Sequence, residues 1–256
     1  MQVFCSSVGL FCLLLALSKG VDDGWDAPYI IALFYVAFAM LTMFILIELT
    51  VTDPLLDLSL FRDKSFALGN LVISMTQFLL MSSMYLIPLF LQNMMGYSAT
   101  ESGIILLPSA AASFVMSPLS GVLSVKFGEK PVVILGLVLS IWWTSQLADT
   151  DAMLIMIMQA LRGASVSLVV MTATVLSMQN ISGAKIGQAN AMINTTRQVT
   201  GSFAITAMAF LARTANTQSV YFSYDDAFFV LEIFAIIGLI AALLIKSRKK
   251  HKEIVS

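Results

Sequence analysis

Three ionisable side chains lie inside long apolar runs of this chain: Arg162, Arg197 and Glu232. A charge at bilayer depth is costly, so each is a candidate coupling or helix-fixing group. Arg197 can also snorkel toward the cytoplasmic interface. Glu232 can pair with an arginine or reach the outer surface. Uncharged polar residues accompany them in stripes. Asn70, Ser74, Gln77, Met81 and Tyr85 recur at steps of four, three, four and four residues, which holds them to one helix face. Ser109, Ser113 and Ser117 form a second stripe, and Asn190, Asn194, Arg197 and Gly201 a third. Unsatisfied polar groups facing lipid cost several kcal/mol, so the stripes should face protein or a wet cavity. Interhelical hydrogen bonding accounts for any single serine; three stripes together favour a lined cavity. Asn70, Ser74, Gln77 and Tyr85 are then the substrate-binding candidates, with Asn194 facing them, while Leu79 is expected to face lipid.

Other chemistries find no residues to carry them. The single histidine, His251, lies near the end of the chain, so no histidine base, relay or metal site can form within the apolar runs. No metal cluster and no phosphate-cradling glycine motif occurs in the sequence. The expectation is a protein without enzymatic catalyst, organic cofactor or nucleic-acid partner.

These residues need elements to position them, and the apolar runs supply those elements. Of the 256 residues, 59% are hydrophobic and 11% charged, against roughly 45–50% and 25% in soluble domains. Spans of about 20 apolar residues predict an all-α membrane protein with eight transmembrane helices, at 3–18, 28–48, 66–92, 102–123, 131–148, 152–178, 188–212 and 227–245. The first rises only about 24 Å, short of the roughly 30 Å hydrocarbon layer, as if the chain began partway into a helix. The start has no basic region or clear cleavage site that would make it a signal peptide. Cys5 and Cys12 share one face of that helix, and with no outer pair a disulfide scaffold is excluded.

Lysine and arginine positions give the orientation, because cytoplasmic loops retain positive charge. A cytoplasmic tail carrying Lys246, Arg248, Lys249, Lys250 and Lys252 puts Arg62, Lys64, Lys126, Lys130 and Lys185 inside by alternation. Only Lys19 and Arg213 then lie near outer ends, and the opposite loops are acidic, with Asp22, Asp23, Asp26, Glu101, Asp149, Asp151, Asp225 and Asp226. Glu48 falls at a helix end. Both termini are expected inside an inner, or plasma, membrane. Two linker helices over 1–49 precede an interfacial linker over 50–65, a six-helix bundle over 66–246 and a basic tail over 247–256. In the linker, Asp53 and Pro54 offer a helix start. A polar loop between two bundles reads the segment equally well. The tail is a stop-transfer anchor or an anionic-lipid contact.

Residues 121–130, with Gly121, Leu123, Lys126, Gly128 and Lys130, resemble the GxLaDrxGrk loop motif of the major facilitator superfamily in its carboxyl-half copy. Val125 stands at the motif's aspartate position, and Glu129 replaces a basic residue. Residues 53–62 resemble the NPLLdLrlFr segment that precedes the carboxyl bundle of fourteen-span drug/proton antiporters. Residues 161–163 are similar to that family's lrGlG, and 187–201, GQANAMINTTRQVTG, to its GlAsalnntlRqlGg. Residues 88–92, 96–99 and 103–108 fit the same pattern, so the resemblance runs through essentially the whole chain in order.

The resemblance implies the carboxyl-terminal part of a proton-coupled exporter of hydrophobic or cationic small molecules. The amino-terminal six helices have no counterpart here, and a truncated frame, a split gene and a fragment would read alike. Because the substrate path in such folds runs between two rocking bundles, a separate amino-terminal half is an expected partner beside the lipid bilayer. The competing reading is a non-transporting membrane remnant or an interaction partner of a complete exporter. A membrane-embedded enzyme lacks a convergent acid, base or metal set.

Overall fold

The computed structural model describes residues 2–50, 58–144, 152–215 and 220–245. Among the described residues there are eight α-helices and no strand: α1 Gln2–Asp23, α2 Pro28–Thr50, α3 Lys64–Asn93, α4 Ala99–Phe127, α5 Glu129–Thr144, α6 Ala152–Met178, α7 Ile186–Ala215 and α8 Val220–Leu244. Short 3-10 turns at Leu58–Arg62 and Gly183–Lys185 precede α3 and α7. The expected helices are all present. Five of them, α2, α3, α4, α6 and α8, are long and apolar enough by themselves to cross a membrane. Among the described residues α1 contributes a shorter apolar stretch, Cys5–Gly20. The helix itself runs beyond the expected 3–18: α1 has 22 residues and rises about 33 Å, because it continues through Lys19 and Gly20 to Asp23.

The start at Asp53 and Pro54, the loop aspartates Asp149 and Asp151, and the basic tail with His251 lie outside the described residues. For Asp22, Glu48, Arg213, Asp225 and Asp226 only the backbone is described.

Local chemistry fixes the helix ends. Asp63 caps α3 by accepting the Phe66 N–H at 2.9 Å. It also accepts from Asn180 Nδ2 at 3.0 Å, tying the start of α3 to the segment after α6. Ser98 and Glu101 form a reciprocal capping box at the start of α4.

Helix α3 is the hub, packing against α6, α7 and α8. Helix α6 joins α4 and α5 to it, and α8 bridges α3, α5 and α7. The pair α1 and α2 attaches through α1 to α7, where Thr206 Oγ1 donates to the Leu17 carbonyl at 3.1 Å. Cys5 and Cys12 are buried free thiols in α1.

The core divides along the helix axes. One apolar cluster gathers Phe78, Leu79, Leu86, Ile155, Met158, Ala204, Met208 and Phe228. The other gathers Phe66, Ile73, Leu137, Val169, Leu176, Met192, Ile193 and Ala242. Between them, on three helices at once, the chain places polar residues: Ser74 and Gln77 on α3, Arg162 and Ser165 on α6, and Thr196 and Arg197 on α7.

A candidate polar layer between two apolar clusters

Arg162 is the deepest charge described, 5% exposed on α6. Its Nη1 donates to Ser83 Oγ of α3 at 2.7 Å, and its Nη2 to Ser109 Oγ of α4 at 3.0 Å. One guanidinium therefore joins three helices. Gly163, the next residue, makes this reach possible. A Cβ built there would lie 2.0 Å from the Ser109 carbonyl oxygen, so α4 and α6 meet backbone to backbone. Ser113 Oγ donates to the Gly163 carbonyl at 3.0 Å, and Ser167 Oγ returns to the Ser113 carbonyl at 3.2 Å. Pro108, immediately before Ser109, leaves one α4 ladder bond unmade where the helices touch. Two members of the serine stripe thus serve the α4–α6 seam, whereas Ser117 is exposed. A groove of about 710 Å³ opens beside the seam, lined by Ser113, Phe114, Val115, Ser117, Pro118 and Ser167.

The α3 stripe meets the α7 stripe. Asn70 Nδ2 donates to Thr196 Oγ1 at 3.2 Å, and Ser74 Oγ donates back to the Asn70 carbonyl at 2.8 Å. Arg197 Nε and Nη2 both donate to Gln77 Oε1, at 3.3 and 3.2 Å. Gly201, one turn further along α7, lets Gln77 and Met81 approach the backbone. Asn70, Ser74 and Gln77 are buried, and Tyr85 is half-buried against the Phe78 cluster. Asn190 and Asn194 stand on an exposed face of α7 with Gln198, and Arg197 is half-buried beside it. Glu232 is half-buried on α8. Among the described residues it forms no ion pair, and the hydrogen bonds of Arg162 and Arg197 go to uncharged side chains.

Two expectations are corrected. Leu79 does not face lipid: it is 1% exposed within the Phe78 cluster, because α3 is enclosed on several sides and has little lipid face at that level. The 121–130 motif is not a loop either. Gly121, Leu123 and Lys126 belong to α4, Lys130 belongs to α5, and the connection is Gly128 alone. Gly128 has φ +93°, a conformation that costs glycine little, and its N–H closes α4 on the Ser124 carbonyl. Lys130 Nζ donates to the carbonyls of Leu243 and Ile245 at 2.6 and 2.8 Å, closing the end of α8.

Several participants escaped sequence reasoning. Ser83 and Thr196 lie off the stripes, and serine or threonine inside a helix is too common to single out. Gln159 carried a usable signal: it sits one turn before Arg162 on the same face, is 1% exposed, and has no partner for either amide atom.

The sequence matches the family model of the Major Facilitator Superfamily over residues 2–205 and 66–255. It is 32% identical, over 86% of its length and 42% of the relative's, to the uncharacterized MFS-type transporter YhcA of Bacillus subtilis. It is 26% identical, over 97% of its length and 57% of the relative's, to the lincomycin resistance protein LmrB of Listeria innocua. With the multidrug export protein EmrB of Haemophilus influenzae the identity is 27%, over 80% and 41%. The chain spans about half the length of the curated relatives it matches. Apolar helices of spanning length, the ordered motifs and the family match together make this a multi-pass membrane protein that belongs to the major facilitator superfamily.

Proposed function

We propose that the chain forms one wall of the translocation path of a proton-coupled multidrug exporter in the inner membrane, with both termini cytoplasmic. The observation that carries this reading is the face of α7, where Asn190, Asn194 and Gln198 are exposed on a helix of a membrane bundle. Amides facing hydrocarbon would lose several kcal/mol each, so this face looks onto water, a substrate or a second bundle. The names of relatives, a lincomycin resistance protein and a multidrug export protein, support a drug substrate.

In this reading Asn194 and the Gln77–Arg197 pair contact hydrophobic or cationic compounds. Asn70 and Ser74 hold α3 against α7 behind them, and Tyr85 closes the outer end. Arg162 fixes α3, α4 and α6 so that they move as one body. Glu232 carries the proton. No residue is assigned a catalytic role. The path requires a second bundle to rock against, so the proposed partner is a separate amino-terminal half.

The test is drug accumulation in efflux-deficient cells expressing this chain with and without the amino-terminal half of a relative. Energy-dependent efflux only in the paired cells, altered in substrate preference by Asn194→Ala, is the expected result. Paired cells without efflux would leave the reading of a non-transporting partner or remnant.

A further inference from the structure

The hydrogen bonds of Arg162 go to two neutral hydroxyls, and its Nε has no partner. Gln159, one turn earlier on the same face of α6, is 1% exposed and leaves both amide atoms unpartnered. Ser82, beside the Ser83 that receives Arg162, is fully buried with an unpartnered hydroxyl. Water could meet the hydrogen-bonding needs of these groups but would leave a full positive charge uncompensated at bilayer depth. Glu232 on α8 forms no ion pair among the described residues, and the hydrogen bonds of Arg162 go to Ser83 and Ser109 instead. Glu101 stands in the first turn of α4, eight residues and about 12 Å of helix rise before Ser109.

We propose that Arg162 and Gln159 form a binding site for a small monovalent anion, of the size of chloride or formate, inside the bundle. The guanidinium supplies the charge and its Nε–H a donor. The Gln159 amide is a dipole able to turn its N–H groups to the anion and its oxygen to the guanidinium. The serine hydroxyls, held by α3 and α4, keep the guanidinium in place. Such an ion neutralises the bundle without a carboxylate and makes the α3–α4–α6 junction sensitive to anions. The inference rests on the membrane bundle alone and not on drug export, so failure of either leaves the other standing.

The test is thermal unfolding of the purified full chain in detergent, followed by tryptophan fluorescence. Sodium chloride or sodium formate replaces sodium gluconate at constant ionic strength. The expected result is a saturable rise in Tm of roughly 3–6 °C as either small anion reaches about ten times its Kd, with no rise in gluconate. Arg162→Gln abolishes the response. Should that variant fail to fold, Gln159→Met decides, raising the apparent Kd about tenfold, the factor set by one lost hydrogen bond to a charged group. Equal Tm in all three salts, or an unchanged Kd in Gln159→Met, overturns the site.

Discussion

At the residue scale the fold turns on how close two backbones come. Ser109 and Gly163 belong to different helices, and the space for one methyl group between them is absent. Gly163→Ala therefore forces α4 and α6 apart, since the clashing atom is a backbone carbonyl and cannot rotate away. A loss of about 1–3 kcal/mol is expected, read as a lower Tm and reduced yield of monodisperse protein. A Gly163→Ala chain as stable as the parent would mean that the two helices do not meet in this way. Leu79 gives the converse case. Because it is buried rather than lipid-facing, Leu79→Ala should cost roughly 2–5 kcal/mol, measured by the same unfolding assay. Gln77→Ala separates the two roles of the α3 stripe. It strips Arg197 of both hydrogen bonds, so a paired, transporting form should change its substrate preference at constant membrane abundance. If abundance alone falls, the pair is an interhelical clasp worth on the order of 1 kcal/mol.

At the element scale the motif at 121–130 is a tight connection with a fastening. A single glycine joins α4 to α5, and the lysine that follows closes the end of α8. A cation on the last carbonyls of a helix satisfies orphan acceptors and complements the helix dipole. Lys130→Met keeps most of the unbranched stem and removes the donor. Amide exchange in the last turn of α8 should rise several-fold, with a global change below about 1 kcal/mol. Unchanged exchange there would mean that the lysine does not hold the helix end. Position 126 supplies the contrast, since Lys126 is exposed in the last turn of α4 and its replacement should leave α8 untouched.

At the scale of the whole molecule, experiment reaches orientation and completeness directly. Positive residues at one end of the helices predict a cytoplasmic 126–130 connection and an outer 22–26 turn. In a chain with Cys5 and Cys12 replaced, a cysteine at 126 should resist an impermeant thiol reagent in intact cells, while one at 24 should label. The reverse pattern would invert the topology. The chain alone, reconstituted in liposomes, should give no energy-dependent dye efflux, because one bundle has nothing to rock against. Robust efflux by the purified chain would refute this, unless a second copy proved to take the place of the other half.

The helices, their number and the membrane as their solvent were legible in the residue order, because backbone groups in hydrocarbon must bond within their own segment and apolar runs record that requirement. So were Arg162, Arg197, Gln77 and Asn70 as residues needing partners, since polarity at bilayer depth is costly whatever surrounds it. The partners themselves were not legible. That Gln77 meets Arg197, Asn70 meets Thr196 and Arg162 meets Ser83 and Ser109 depends on which helices touch and at what height, and the contacts join residues 53 to 126 positions apart. Periodicity fixes a face of a helix but not the neighbour it faces. For that reason Leu79 was assigned to lipid although α3 is the enclosed hub, and Gln159 passed unnoticed until packing left its amide without a partner. That polar residues from three helices share one layer between two apolar clusters emerged with the packing itself, because relative height is a property of packed helices and not of any one of them.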